Sequence, residues 1–186
     1  MQSVVSRWFG AGFERLHPLL QALHLRGGIL AGTVEITLGR GLARPFGRAI
    51  ARKLGIPLQP GPHLLQVEID HQSDRLLWNR LFDGRQRMDS VFRPVGAWPE
   101  GLWLEQTGPV RLGLAVEVTD GGWRWRCRKV WLYGVRLPLA LFPRSDAYKC
   151  VEGGRYRFQV TFTLPLLGPV LSYGGLLESR TAPPFE

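Results

Sequence analysis

The stretch Trp123-Arg124-Trp125-Arg126-Cys127-Arg128 alternates apolar and cationic residues with a period of two. A β-strand sends successive side chains to opposite faces, so Trp123, Trp125 and Cys127 share one face and three arginines the other. The first face calls for a core or an apolar ligand; the second calls for water, phosphate or carboxylate. On this reading the aromatic parity runs on to Trp131 and Tyr133, with Lys129 as the exception. Two further segments alternate as cleanly. Leu112, Leu114, Val116 and Val118 share a face, and Tyr156, Phe158, Val160, Phe162 and Leu164 oppose Arg155, Arg157, Gln159, Thr161 and Thr163.

Working outward, strand signals recur roughly every ten residues after Pro62. They cover Leu65–Asp70, Leu76–Phe82, Arg87–Arg93, Leu102–Gln106, Val110–Val118, Trp123–Tyr133, Tyr148–Glu152, Arg155–Leu164 and a short Pro169–Tyr173. Asp83-Gly84, Thr107-Gly108-Pro109, Asp120-Gly121-Gly122 and Gly153-Gly154 separate them with turn chemistry. Short turns imply hairpins and an antiparallel sheet. Before these come a helix from about His17, with Leu16, Leu19, Leu20 and Leu23 on one stripe, and a strand over Ile29–Leu38. A second helix over 44–54 is punctuated by Pro45, Gly55 and Pro57. Its Phe46, Ala49, Ile50 and Leu54 form the face expected to dock. The fold expected is α+β: a dominant, curved antiparallel sheet, barrel or half-barrel, of about nine strands, with two helices in the N-terminal half. One β-rich domain is expected over 13–177, with flexible termini at 1–12 and 178–186. A C-terminal helix gripped by the sheet is disfavoured, because Pro165, Gly168, Pro169, Gly174 and Gly175 would break it.

The chain of 186 residues is 45% hydrophobic and 21% charged, which are globular values and exclude a disordered or fibrous class. Its net charge of +9 favours anionic partners: nucleic acid, an acidic membrane surface or an acidic protein. Two cysteines, Cys127 and Cys150, lack metal-ligand spacing and read as reduced thiols. Arg7, Glu14 and Arg15 interrupt any signal-peptide core, and no apolar run approaches the roughly 20 residues of a membrane span. A cytoplasmic protein is expected, with peripheral membrane contact open to it.

No nucleophile elbow, phosphate loop or zinc-protease motif occurs. His17, His24, His63 and His71 lack partners at ligand spacing and read as surface or helix-flank residues. Asp70-His71 with Asp74 reads as a polar hairpin loop. The informative segment is Leu76–Phe82, where Trp78, Arg80 and Phe82 point one way. An arginine between two aromatics must meet a carboxylate, carbonyls or a ligand anion. Trp103 and Glu105 share a face on their own strand, so Glu105 is the candidate partner. The pair either fixes the core as a bridge or anchors the polar end of a ligand in an apolar pocket. Arg44, Arg48 and Arg52 form a basic stripe on the second helix, fit for an anionic membrane or a protein partner. Arg124, Arg126, Arg128, Arg155 and Arg157 could join into one patch, but the aromatics lie on the opposite face, which disfavours nucleic acid.

Leu16-His17-Pro18, Trp78–Phe82, Leu104-Glu105-Gln106-Thr107-Gly108, Leu112–Val118 with Asp120-Gly121-Gly122, Leu137–Pro143, Arg155–Phe158, Pro165–Gly168 and Tyr173–Leu176 occur in this order. The set resembles the bacterial domain-of-unknown-function family four-one-six-six, over about residues 15–177. Members of that family occur alone or fused behind saccharopine-dehydrogenase-like oxidoreductase domains. The resemblance implies a ligand-holding or accessory role, with an oxidoreductase as a partner, and brings no cofactor or catalytic residue. The expectation is a non-catalytic binder of a small amphipathic, lipid-like or acyl ligand, with Trp78, Arg80, Phe82, Trp103 and Glu105 at the site. The alternatives are an interaction domain using Arg44, Arg48 and Arg52, and an enzyme of unrecorded type built on Arg80, Glu105 and Asp70 or His71.

Overall fold

The computed structural model describes residues 2–180. Eleven strands form: β1 (Gly28–Leu38), β2 (Gly61–His71), β3 (Leu76–Phe82), β4 (Gln86–Val95), β5 (Leu102–Thr107), β6 (Val110–Thr119), β7 (Gly122–Leu132), β8 (Val135–Leu137), β9 (Arg144–Glu152), β10 (Arg155–Leu164) and β11 (Gly168–Arg180). Ten of them close a ring. Each pairs antiparallel with the next in the chain, β7 pairs with both β6 and β9, and β11 returns onto β1. The short β8 is an extra hairpin on β7. This is an up-and-down barrel, a closure that leaves no long free edge. The expected α+β, sheet-dominated barrel is present with two more strands than expected.

Alternation fills the interior: Leu30, Val34 and Ile36 from β1, Leu65, Val67 and Ile69 from β2, and Tyr156 and Phe162 from β10 are buried. One parity expectation fails at a β-bulge. Gly113 pairs with Lys129 and Leu114 with Cys127, leaving Arg128 as an extra residue. The face therefore switches: Val130 takes the buried position, and Tyr133 is exposed in the following turn. The bulge also explains why Lys129 broke the pattern.

The turns alternate between two ends. One end, joined at 72–75, 96–101, 120–121 and 153–154, is covered by the N-terminal segment. That segment contains α1 (Val4–Phe9), a 3₁₀ turn (Gly10–Arg15) and α2 (Pro18–Arg26). Residues 4–12 of the stretch expected to be flexible thus hold α1 and the start of the 3₁₀ turn. Ser3 caps α1 reciprocally with Ser6, and Val4, Val5, Trp8 and Phe9 are buried. The Trp8 ring lies 5.4 Å from that of Trp103. The Trp98 N–H donates to the Trp8 carbonyl at 3.0 Å and the His17 N–H to that of Gly121 at 2.8 Å, seating the plug on the turns. At the C-terminus, β11 continues to Arg180, so 178–180 are strand and 181–186 lie outside the described residues.

The opposite end carries α3 (Ala43–Leu54), which packs on β11 and β1 and by its last turn reaches Gly108 in the β5–β6 turn and the cavity wall at Leu54. Its docking face is not the one expected. The buried residues are Ala43, Gly47 and Ala51, while Phe46 is 50% exposed. A β-carbon at Gly47 would overlap the Val170 carbonyl oxygen, so only the small-residue face permits this close approach.

Candidate functional site: a polar floor inside the barrel

Period-two alternation on β3 turns Leu76, Trp78, Arg80 and Phe82 inward, and all four are buried. The same rule brings in Ser90 from β4, Glu105 and Thr107 from β5, and Lys149 from β9. Arg80 is 9% exposed and Lys149 7%. These groups border a partly open cavity of about 90 Å³, whose walls include Trp78, Arg80, Glu105, Thr107, Trp125, Lys149, Tyr156 and Phe158. That volume is room for about six water molecules, or a small ligand head with a short chain.

The Arg80 and Glu105 side chains do not form the direct bridge that was one expected outcome. Arg80 Nη1 donates to Ser90 Oγ at 2.8 Å, Ser90 and Thr107 hydroxyls lie 2.6 Å apart, and Thr107 Oγ1 donates to Glu105 Oε1 at 3.3 Å. Two neutral hydroxyls thus relay between the charges, and Glu105 is only half-buried. The Arg80 guanidinium also faces the Trp78 ring at 5.5 Å.

Lys149 is the residue the sequence reading missed. Its Nζ lies 3.8 Å from the Trp78 ring centroid, 4.6 Å from Trp123 and 5.4 Å from Trp125. Among the described residues no carboxylate pairs with it. Burial and the neighbouring Arg80 charge pull its pKa well below the ordinary lysine range, with Glu105 opposing. The three rings favour the ammonium but carry no net charge, so a nearby anion is what would hold it protonated. The signal was in the sequence: Lys149 has the parity of Ala147 and Val151, and sits opposite Phe158 of β10. Beginning the strand at Tyr148 instead of Arg144 hid that parity.

The other candidate positions separate. Phe82 packs near Tyr173, with ring centroids 6.4 Å apart, and Trp103 lies under Trp8; neither borders the cavity. Tyr156 does, and its hydroxyl is buried without a hydrogen-bond partner among the described residues. Asp70 is exposed, and His71 sits at the plugged end, where its Nε2–H donates to the Leu23 carbonyl at 3.1 Å. They do not join Arg80 and Glu105. His24, expected near the surface, is wholly buried beside Trp123, and burial with the Lys149 charge drives its pKa well below 6.5. Burial pushes the Cys127 thiol up to about 11, away from nucleophilic use. Three of the five outward arginines are partnered, Arg124 with Asp146, Arg126 with Glu117 and Arg157 with Glu152, and Arg128 and Arg155 have no ion pair among the described residues. Arg44 and Arg52 on α3 are exposed and Arg48 is half-buried. No cluster fit for a metal ion occurs among the described residues, and no described helix is long and apolar enough to cross a membrane.

Fold and site together define a closed antiparallel up-and-down barrel with a cationic cavity. The chain belongs to the family described as Domain of unknown function (DUF4166), whose model matches residues 16–177. No curated protein matches it.

Proposed function

We propose that the barrel is a non-catalytic binder of one small amphipathic anion, a carboxylate or phosphate ester carrying a short apolar chain. The observation that carries this reading is the pair of inward cations, Arg80 and Lys149, beside a single half-buried carboxylate. Buried charges need counter-charges: Glu105 answers Arg80 through the hydroxyl relay, and Lys149 can carry a charge here only beside a further anion. Arg80, already oriented by Ser90, grips the head with its planar fork. Lys149 takes up a proton as the anion arrives. Phe158, Val160 and Leu112, on the cavity wall, hold the chain.

Native extraction and mass spectrometry should release a stoichiometric organic acid. Calorimetry with hexanoate and hexyl phosphate should give binding that weakens as pH rises, because the bound state holds the extra Lys149 proton. Arg80→Leu should weaken it by about 2 kcal/mol, roughly thirtyfold, in a folded protein. Lys149→Met should weaken it while raising the melting temperature, since it removes a buried amine. A ligand-free extract together with no heat from either probe would overturn the reading. So would an Arg80→Leu protein that binds like wild type.

A further inference from the structure

The open end of the barrel is unlike the plugged one in charge and in surface. The segments joining strands there (39–60, 83–85, 108–109, 133–143 and 165–167) contain seven basic residues and one acidic residue, Asp83. Asp83 is engaged by His63 at 2.6 Å. The plugged end, counted over 2–27, 72–75, 96–101, 120–121 and 153–154, has four of each sign. Apolar exposure is just as lopsided. Nine large apolar side chains stand exposed among the described residues, and all but Val95 lie toward the open end.

Two of these hold backbone positions strained for their side chains, although Tyr133 has the Lys53 ammonium 5.5 Å from its ring. Tyr133 and Leu166 occupy turn tips at φ of +50° and +66°. Glycine, asparagine and aspartate suit that backbone; a leucine or tyrosine there is strained. Among the described residues the other two non-glycine positions with positive φ are Asp83 and Asp120, which are ordinary turn choices. Leu166 is fully exposed, so it gains no burial in return. On α3, Phe46 projects from between Arg44 and Arg48 because the helix docks by its small-residue face.

We infer that this rim is a peripheral docking surface for an anionic lipid membrane, with Phe46, Tyr133, Leu141 and Leu166 dipping into the headgroup region and the arginines of α3 meeting the lipid charges. Four separate segments contribute apolar tips interleaved with cations. Such a rim suits a fluid anionic surface, and a fixed protein partner would need a groove or continuous face. Leu54, at the end of α3, borders the cavity, so the surface and the cavity share an end of the barrel. The inference does not depend on what the cavity holds.

Co-sedimentation of the full chain with vesicles of phosphatidylcholine, alone or with a quarter phosphatidylglycerol, tests it. Binding to the anionic vesicles only, falling with added salt, is expected. R44E/R48E/R52E should bind more than tenfold more weakly, and L141D/L166D several-fold more weakly, both with unchanged circular dichroism and no loss of melting temperature. Wild-type protein that ignores anionic vesicles at low salt would overturn the inference and assign the rim to an acidic protein. Triple-variant binding equal to wild type would overturn it as well. Hexanoate calorimetry on the triple variant separates the two proposals, since a failed vesicle assay with intact hexanoate binding removes only the membrane surface.

Discussion

The two ends of this barrel are built from the same hairpin chemistry and obey different rules. At the plugged end every large apolar side chain of α1 is buried, and backbone hydrogen bonds run from the helices to the turns beneath. Packing accounts for those apolar side chains. At the open end α3 shows the barrel its alanines and glycine and shows solvent its phenylalanine, and two bulky residues hold left-handed turn positions. Packing selects the face α3 docks with, but stability would not select a leucine at the exposed Leu166 turn tip. The difference teaches where to look for function: at the end, and on the inward faces, that packing leaves unexplained.

The largest effect should come from the plug. Trp8→Ala removes a ring packed against Phe9 and Trp103, and should cost about 3–5 kcal/mol in chemical denaturation. A loss below about 1 kcal/mol would mean that α1 is dispensable and that the two ends are less different than they look. Gly47→Ala attacks the other end. Alanine gains about 1 kcal/mol in helix propensity, but its β-carbon meets the Val170 carbonyl, whose backbone cannot yield cheaply. The net should be a loss of about 1–2 kcal/mol, with α3 amides exchanging faster and the plug unaffected. Faster exchange in α1 and α2 would show that the two ends are coupled.

A pH titration sharpens the comparison further. His24 lies under the floor, between the plug and Lys149, and its folded pKa is well below 6.5. Between that value and 6.5 the unfolded chain binds a proton that the folded one refuses. The His24 contribution to stability is therefore complete above about pH 6.5 and falls as pH drops below it, by at most about 1.4 kcal/mol per pH unit for one proton. His24→Phe should flatten this slope. A slope unchanged in His24→Phe would place the acid sensitivity elsewhere.

The barrel itself was legible because its evidence is local: period-two alternation and turn residues survive in any strand they occupy. What escaped reading depended on partners far away in the chain. Val4, Val5, Trp8 and Phe9 form less than two turns, too short to display a helical period. The parity of Trp131 and Tyr133 was lost to a bulge whose cause lies in pairing with β6. On α3 the apolar stripe suggested one face, but the approach distance to Val170 selected another. Arg80 and Glu105 announced themselves as charges on an apolar face. Lys149 obeyed the same rule, and its tryptophan neighbours come from β3 and β7, which no local window contains.

The smallest expected effect bears most directly on why the ends differ. Leu166 adopts φ of +66° at a turn tip with its side chain in solvent. Replacing it by glycine removes the clash of its β-carbon with the backbone, worth about 1 kcal/mol, and loses no buried contact. The backbone entropy that glycine adds to the unfolded chain takes back part of this gain. A small rise in melting temperature is expected, together with weaker sedimentation on anionic vesicles. Stability and surface binding moving in opposite directions in one variant is the signature of a residue kept for contact with something outside the fold. If Leu166→Gly instead destabilises the protein, the leucine serves packing after all, and the open end follows the same rule as the plugged one.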